Sequence, residues 1–444
     1  MGYFFKNRQI STFQIIILGF LLVIFIGTAL LMLPISTKGS ANASLLEALF
    51  TATSATCVTG LVVQDTATYW SGFGQLVILL LIQIGGMGVV TVAVAVSMIS
   101  GKKIGLMQRS TMKEAISAPK VGGIVRMTHF ILKTVFMIEV LGACFLSIVF
   151  CPEFGFFKGL WYAVFHSVSA FCNAGFDLMG TKEMFSSMVS YRTDALVNLV
   201  LMALIIIGGI GFFTWEDVKT NKWNLKRYRL QTKMILMTTS ILLFVPFMYF
   251  YFCEFQEFAF RERIWLSLFQ TVTPRTAGFN TADLTRISEV GIMVMIILML
   301  IGGSPGSTAG GMKTTTVTVL LLSARAVFKR REEAYLFRRR IVDDTVKDAA
   351  TIFLMYISLF LGSGMIISYL EKIPLMTALF ETASAIGTVG LTLGVTASLG
   401  TVSRLILIML MYFGRVGGLT LIFAAVSGKN AKILKYPQEK ITVG

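Results

Sequence analysis

Four segments of this chain share a pattern that suits the binding of a dehydrated cation by backbone oxygen atoms. Each is a short apolar stretch, rich in Ser, Thr and Ala, that runs into a glycine and lies between two long apolar segments. The segments are 48–61, 163–176, 267–279 and 378–391, and their glycines are Gly60, Gly175, Gly278 and Gly390. Rings of backbone carbonyl groups around an axis replace the water shell of a potassium ion. The repeated hairpin therefore predicts a ring of four around one ion pathway.

The candidate ligands are the carbonyl oxygen atoms of three consecutive residues in each segment. They belong to Val58, Thr59 and Gly60; Asn173, Ala174 and Gly175; Thr276, Ala277 and Gly278; and Thr388, Val389 and Gly390. Glycine reaches backbone conformations that turn carbonyl groups toward an axis. For one isolated glycine, helix capping or close packing would be the simpler interpretation, but four matched glycines favour a filter. In the third segment, Phe269 precedes Gly278 by nine residues, whereas the matching phenylalanine precedes the glycine by ten residues in each of the other three segments. The local geometry of the third segment is therefore the least well defined by the sequence.

The composition predicts an all-α polytopic membrane protein. Of 444 residues, 55% are hydrophobic and 14% are charged, whereas soluble proteins carry roughly 25% charged residues. Apolar blocks long enough to cross a membrane predict spans at 12–34, 73–100, 128–151, 192–215, 232–253, 287–327 (interrupted), 347–370 and 402–427. Shorter re-entrant helices are expected near 44–57, 158–171, 262–273 and 375–386. Non-helical backbone after such helices is tolerated only in a wet cavity or within protein.

The positive charge is concentrated in a few hydrophilic connections. The net charge is +16, and 27 of the 39 Lys and Arg residues lie in 6–8, 102–133, 219–233, 325–347 and 429–440. This positive-inside pattern places these connections and both termini in the cytoplasm. It favours contact with anionic lipid and argues against a nucleic-acid partner.

The spacing of the four glycines indicates four parallel repeats, with intervals of 115, 103 and 112 residues. Each repeat is one helix, one re-entrant hairpin and one helix, and a glycine cluster follows in register. We predict repeat boundaries at 1–100, 101–225, 226–340 and 341–444, the last including a cytoplasmic tail. The repeats share one orientation, unlike the inverted repeats of many transporters.

The sixth predicted span cannot be one regular helix, because it holds several glycines and a proline within ten residues. The residues expected to form an intramembrane gating loop are Gly302, Gly303, Ser304, Pro305, Gly306, Gly310, Gly311 and Lys313. A simple kink is the alternative. Arg415 lies within the eighth span and either raises an electrostatic barrier below the filter or anchors the loop, while Lys313 either snorkels or lines the gate. Glu381 is expected to brace the filter from behind, and Glu139 to hydrogen-bond to neighbouring helices.

No catalytic motif is apparent in the sequence, which has no Walker, GxSxG or HExxH pattern. The five cysteines are interpreted as small packing residues, and neither they nor the two histidines have the spacing of metal ligands. The chain is therefore not expected to be an enzyme or to bind a nucleotide itself.

The four filter-like hairpins and the loop resemble the Trk/Ktr/HKT superfamily of potassium transporters over the whole chain. The compact length most resembles the KtrB branch, the membrane subunits of bacterial Ktr systems. The resemblance implies potassium uptake across a bacterial cytoplasmic membrane, with K⁺ as substrate, and glycine in all four filter positions favours K⁺ over Na⁺. It also implies a homodimer, a KtrA-like cytosolic nucleotide-binding ring on the basic face (325–340 and the C-terminal tail), and Na⁺ as an activator or coupled ion. A Na⁺- or H⁺-coupled secondary carrier is the alternative, and a sensor with a vestigial pore is a third.

Overall fold

The computed structural model describes residues 11–39, 42–100, 104–116, 122–418 and 420. Within them the chain is almost entirely helical, with sixteen α-helices and one short hairpin. The long helices are α1 (Thr12–Leu31), α6 (Ile124–Phe154), α10 (Leu230–Tyr249) and α14 (Asp343–Glu371). A π turn over Phe250–Glu254 extends α10. By length and composition, these four helices can cross a membrane.

The four predicted short helices are present, each between two other apolar helices. They are α2 (Leu45–Thr56), α7 (Phe156–Phe171), α11 (Phe260–Val272) and α15 (Leu375–Gly387). Their bounds agree with the predicted bounds to within two residues. Ser44 and Glu47 form a capping box that fixes the start of α2. Gly155, with φ of +83°, separates α6 from α7 and allows the chain to reverse there.

The spans predicted at 73–100 and 192–215 are present as pairs of helices, and each pair is sharply bent, which the sequence did not predict. The first consists of α3 (Gly72–Met87) and α4 (Val89–Ile99), which meet at 95°. The second consists of α8 (Ala195–Ile210) and α9 (Phe212–Asn221), which meet at 93°. Gly88 and Gly211 occupy the bends with φ of +86° and +102°, outside the helical region. Hydrophobic periodicity continues through both bends, so it does not reveal the change of direction.

The predicted interruption of the sixth span is confirmed. Helix α12 (Glu289–Leu300) and helix α13 (Thr314–Phe328) are separated by residues 301–313, which form no helix. The eighth span is represented by α16 (Thr401–Val416). Its predicted continuation at 419 and 421–427 lies outside the described residues. By length and composition, the described helices include four candidate spans, or up to six when each bent pair counts as one.

Two smaller elements lie on the side of the basic connections. Helix α5 (Leu106–Ala115) follows α4, and strands β1 (Tyr335–Leu336) and β2 (Arg339–Arg340) form an antiparallel hairpin between α13 and α14. The hairpin packs over a small cluster of buried apolar side chains. The cluster consists of Met234, Val319, Ala326, Ala334, Ile341 and Ala349.

The glycine clusters in the second helices bring those helices against the ends of the short helices. Gly85 lies against the carbonyl of Thr56. The same contact joins Gly208 to the carbonyl of Phe171 and Gly414 to the carbonyl of Ile386. A methyl group at any of the three glycines would overlap that carbonyl oxygen. Close packing of the second helices is therefore the reason for glycine at these positions.

We predict that Gly208→Ala lowers the apparent melting temperature of the purified chain in detergent. The added methyl group overlaps the Phe171 carbonyl and the Thr308 hydroxyl, and overpacking costs about 1–3 kcal/mol. Gly362→Ala is the matched control, since Gly362 lies within α14 with no atom within 4 Å of an added Cβ. The control should be neutral or stabilising by up to ~1 kcal/mol. Equal destabilisation by both substitutions would contradict the packing argument.

Candidate ion site and intramembrane loop

Each short helix leads into a segment with the same backbone conformation. The first of the three predicted ligand residues is left-handed in every segment, and the third is a glycine with positive φ. The φ values are +58° at Val58, +60° at Asn173, +66° at Thr276 and +51° at Thr388, then +91° at Gly60, +68° at Gly175, +78° at Gly278 and +95° at Gly390. A left-handed valine or threonine is uncommon and strained. Retaining it in matched positions indicates that the surroundings fix the path of the backbone.

The shorter third segment keeps this conformation. Helix α11 ends at Val272, four residues before its first ligand residue Thr276, whereas the other short helices end one or two residues before theirs; the missing residue is thus accommodated by an earlier helix end. The carbonyl of Thr273 accepts hydrogen bonds from the N–H groups of Ala277 (3.0 Å) and Gly278 (3.5 Å). The residues of the candidate site are therefore in register with those of the other segments, and only the helix end differs.

The four segments are brought together, and their glycines contact one another in a closed cycle. Each glycine faces the middle carbonyl of the next segment. The contacts run from Gly60 to Ala174, from Gly175 to Ala277 (2.7 Å from an ideal Cβ to the oxygen), from Gly278 to Val389, and from Gly390 to Thr59. A methyl group at any of these glycines would overlap a carbonyl oxygen. All twelve residues predicted as ligands thus lie in four adjoining stretches of backbone.

A hydroxyl side chain at a matched position in or directly after each short helix is bonded to the backbone of the candidate site. Ser54 and Ser384 accept hydrogen bonds through Oγ from the N–H groups of Gly60 (3.1 Å) and Gly390 (3.0 Å). In the other two repeats the polarity is reversed. Ser169 donates to the carbonyl of Phe176 (2.7 Å), and Thr273 donates to the carbonyl of Phe279 (2.5 Å).

These four hydroxyl residues were not singled out from the sequence. The signal was available, because each precedes its filter glycine by six residues, or by five in the shorter third segment. Four side chains at one repeat position, all bonded to the segment that follows, act as supports for the backbone ligands.

Two further side chains brace the chain after it leaves the candidate site. Glu381 accepts hydrogen bonds from the N–H of Leu393 (3.1 Å) and the hydroxyl of Thr396 (2.6 Å), which agrees with the bracing role expected for it. At the matching position, His166 accepts through Nε2 from the N–H of Leu178 (3.1 Å). Its Nδ1 lies 2.7 Å from the carbonyl of Tyr162, so the proton belongs on Nδ1. For His166 the sequence argued only against a metal site and predicted no bracing role.

The outer end of α2 carries a carboxylate, Glu47. Burial raises its pKa, but hydrogen bonds from Gln64 and from Ser44 outweigh burial and hold the pKa below its usual value. A carboxylate that stays ionised at this end favours cations near the four segments.

The loop 301–313 lies against the candidate site. Gly310 adjoins the side chain of Thr388, and an added methyl group there would overlap it. The N–H of Gly311 donates to the carbonyl of Gly414 (3.2 Å), and the hydroxyl of Thr308 donates to the carbonyl of Phe171 (3.0 Å).

The same loop is bonded to the bend between α8 and α9. The N–H of Ser304 donates to the carbonyl of Gly209 (3.0 Å), and the carbonyl of Gly306 accepts from the N–H of Phe212 (2.7 Å). This one loop is thus bonded to α7, to both sides of the α8–α9 bend and to α16.

Arg415 joins this loop to the first repeat. Its guanidinium donates to the carbonyl of Thr308 and to the carbonyls of Gly85 and Gly86, the last at 3.1 Å. This geometry matches the anchoring interpretation of Arg415. Lys313 donates to the loop's own carbonyls at Ala309 (2.8 Å) and Gly310 (3.2 Å). Both cations line one cavity of about 200 Å³ beside the loop.

The intramembrane carboxylate Glu139 is hydrogen-bonded to a neighbouring helix, as expected. The side-chain amide of Gln83 in α3 donates to both of its carboxylate oxygens, at 3.0 and 3.2 Å. The Glu139 backbone carbonyl also accepts from Ser167 in α7 (2.7 Å). Glu139 therefore connects the first and second repeats and is partnered on both sides.

The sequence as a whole matches the family model described as TrkH, cation transport protein, over residues 5–433. The chain belongs to the TrkH cation transport protein family. The predicted resemblance to the Trk/Ktr group is thereby confirmed, and the chain belongs to a family of transporters rather than of enzymes.

Relatives within the TrkH family cover nearly the whole chain. The potassium/sodium uptake protein NtpJ of Enterococcus hirae is 40% identical, over 99% of this chain and 98% of its own length. The Ktr system potassium uptake protein B of Bacillus subtilis is 39% identical, over 97% of this chain and 96% of its own. The corresponding protein of Vibrio alginolyticus is 34% identical, over 97% and 94%. The predicted similarity to the KtrB branch is confirmed.

A solved structure shows the same fold. The potassium transporter TrkH from Vibrio parahaemolyticus superimposes with a TM-score of 0.73 at 20% identity, covering 96% of this chain and 87% of that chain. Members of the TrkH family thus share this helical arrangement at low sequence identity.

We predict that Ser384→Ala weakens stabilisation of the protein by K⁺. The substitution leaves the N–H of Gly390 without its partner, which costs about 1–3 kcal/mol. The K⁺ concentration that gives half of the rise in melting temperature should increase about tenfold. Ser398→Ala removes an exposed hydroxyl bonded only to Val395 and should leave that concentration unchanged. An unchanged K⁺ dependence in Ser384→Ala would contradict the supporting role.

Proposed function

We propose that this multi-pass membrane protein takes up potassium ions through a filter formed by the four matched segments. The observation that carries the proposal is the closed cycle of contacts in which each filter glycine faces a carbonyl of the next segment. Backbone carbonyl groups that converge in this way supply ligands for a dehydrated K⁺ ion. Two relatives, from Bacillus subtilis and Vibrio alginolyticus, are named Ktr system potassium uptake protein B, which supports the same substrate.

The four pseudo-repeats would then surround one central pathway within a single chain, with the boundaries 1–100, 101–225, 226–340 and 341–444. The short helices α2, α7, α11 and α15 direct their C-terminal ends toward the filter. Each such end carries about half a negative charge, which favours a cation beside it. The protein would lie in a bacterial cytoplasmic membrane with both termini inside, as the positive-inside pattern indicates.

The direct test is ⁸⁶Rb⁺ uptake into proteoliposomes that contain the purified full-length chain. We expect unlabelled K⁺ to suppress uptake at concentrations at which Na⁺ has little effect. Suppression by Na⁺ and K⁺ alike would contradict a potassium filter. Uptake that requires an inward Na⁺ or H⁺ gradient would instead support the alternative, a coupled secondary carrier, and ion binding without uptake would support a sensor.

We predict that Gly60→Ser reduces the preference for K⁺ over Na⁺ about tenfold, which corresponds to ~1.4 kcal/mol. The new Cβ overlaps the carbonyl of Ala174 and displaces it from its position in the cycle. Competition between K⁺ and Na⁺ in the ⁸⁶Rb⁺ assay measures the effect. Gly72→Ser, at the start of α3 where an added Cβ has no atom within 4 Å, is the control and should retain the wild-type ratio. A wild-type preference for K⁺ over Na⁺ in Gly60→Ser would show that Gly60 is not part of the filter.

The loop 301–313 would serve as the gate. It lies between the filter segments and the basic side of the molecule, and Arg415 holds it through the Thr308 carbonyl. In this position the loop and two cationic side chains obstruct the pathway. Ion passage would require the loop to move, and its several glycines give it the conformational freedom to do so.

We predict that Arg415→Gln increases ⁸⁶Rb⁺ uptake about tenfold or more. Hydrogen bonds from a charged group contribute about 1.5–3 kcal/mol each, so their loss favours displacement of the loop. Arg404→Gln is the matched control on the same helix, since Arg404 donates to Ala397 at the opposite end of α16, and its uptake should be unchanged. Lower uptake by Arg415→Gln in correctly folded protein, as judged by its melting temperature, would contradict a restraining role.

A cytosolic nucleotide-binding ring of the KtrA type would regulate this gate from the basic face. The hairpin β1–β2 presents exposed arginine side chains beside α13, including Arg339 and Arg340, and is the described surface that best suits such a partner. ATP and ADP would act through that subunit and not on this chain. We further propose that the chain forms a homodimer, and that Na⁺ serves as an activator or coupled ion, in keeping with the name of the Enterococcus relative.

A further inference from the structure

A second cavity, separate from the ion site, lies on the side of the basic connections. Its volume is about 920 Å³. It is formed by the first turns of α6, by α9 and by the residue that precedes α10. The cavity is lined by, among others, Arg126, Phe130, Phe213, Glu216, Lys219 and Arg229.

Cationic side chains dominate the polar lining of this cavity. Arg126, Lys219 and Arg229 are exposed, and Glu216 is the single carboxylate among the lining residues. Arg229 is paired with Glu216 at 3.1 Å, so the carboxylate is already neutralised. Lys219 lies over the ring of Phe130 at 4.7 Å. Arg126 forms no ion pair with any residue that the structure describes. The unbalanced charge favours an anion.

Apart from Thr220 and two glycines, the remaining lining is apolar, and it continues into the outer face of α6. Phe130, Met127 and Phe213 supply apolar surface inside the cavity. From Phe130 onward, the same face of α6 exposes Met137 and Leu141, with 53% and 51% of their surfaces accessible. Residues at this spacing form one stripe along a helix. Cations at the start of a spanning helix, followed by an exposed apolar stripe, match the headgroup and acyl chain of a lipid.

We propose that this cavity binds the phosphate headgroup of one anionic phospholipid from the cytoplasmic leaflet, whose acyl chains lie along the exposed face of α6. Basic pockets between helices at this depth bind such headgroups. The choice of a lipid over a soluble phosphate rests on the continuity of the cavity with the apolar stripe. A soluble anion has no acyl chain that could pack against that stripe.

A bound headgroup would also contact the helix that supports the intramembrane loop. Phe213 lines the cavity, and its ring lies 3.2 Å from an ideal Cβ at Gly306. The neighbouring N–H of Phe212 donates to the carbonyl of Gly306. The lipid site and the loop therefore share α9, although binding at the site does not depend on the proposed transport function.

Titration of the purified chain with dioleoylphosphatidylglycerol, followed by native mass spectrometry, tests the proposal. Arg126→Gln combined with Lys219→Gln should weaken binding about 25-fold, because each basic residue near an anionic headgroup contributes about a factor of five. The matched control combines Lys226→Gln with Arg227→Gln, two exposed cations of the neighbouring connection outside the cavity lining. The control should bind nearly as the wild type, and dioleoylphosphatidylcholine should bind weakly to all three proteins.

Three outcomes would overturn the proposal. Unchanged binding by the Arg126/Lys219 variant would mean that the cavity is not the site. An equal loss in the control variant would mean that diffuse surface charge attracts the lipid. Displacement of the lipid by soluble glycerophosphoglycerol at equal concentration would identify a free phosphate ligand and not a membrane lipid. Melting temperatures of both variants show whether they are folded, independently of any uptake measurement.

Discussion

The constraint on which this structure depends is that backbone N–H and C=O groups inside a membrane need partners within the protein. Helices meet that requirement for most of the chain, but the four segments after α2, α7, α11 and α15 are not helical. Their N–H groups are bonded back to the short helices, as when Thr59 donates to the carbonyl of Ser54 (2.8 Å) and Val389 to that of Ser384 (2.8 Å). In the proposed function, the carbonyl groups of the segments are then the atoms available to an ion.

The same requirement explains the arrangement below the filter. Residues 301–313 are also non-helical, and their polar groups are bonded to carbonyl and N–H groups that the bends and helix ends leave exposed. Gly306 accepts from Phe212 just after one bend, and Arg415 reaches carbonyls near the other bend. The polar backbone groups of the bends, the glycine clusters and the loop thus supply hydrogen-bond partners for one another. A change at one of them alters the partners of the others.

Much of this organisation could be predicted from local sequence, and the remainder could not for identifiable reasons. Short apolar helices ending in glycine, and a span with too many glycines to be regular, were recognisable because each signal lies within about fifteen residues. The bends at Gly88 and Gly211 were missed, because apolar periodicity reports burial and not helix direction. The contact of Arg415 with Gly85 joins residues far apart in the chain, and no local pattern indicates it. Ser54 and its three counterparts were visible only by aligning the repeats with one another.

The filter segments belong to one chain and differ in sequence, which has an evolutionary consequence. In an assembly of four identical subunits, every substitution changes all four walls of a central site at once. Here, a substitution changes one wall only. The differences already present reflect this freedom: a serine accepts from the filter backbone in two repeats, a serine or threonine donates to it in the other two, and one segment lacks a residue near its helix end. If the four segments line the proposed pathway, selection can adjust ion preference by changing one segment while the other three stay the same.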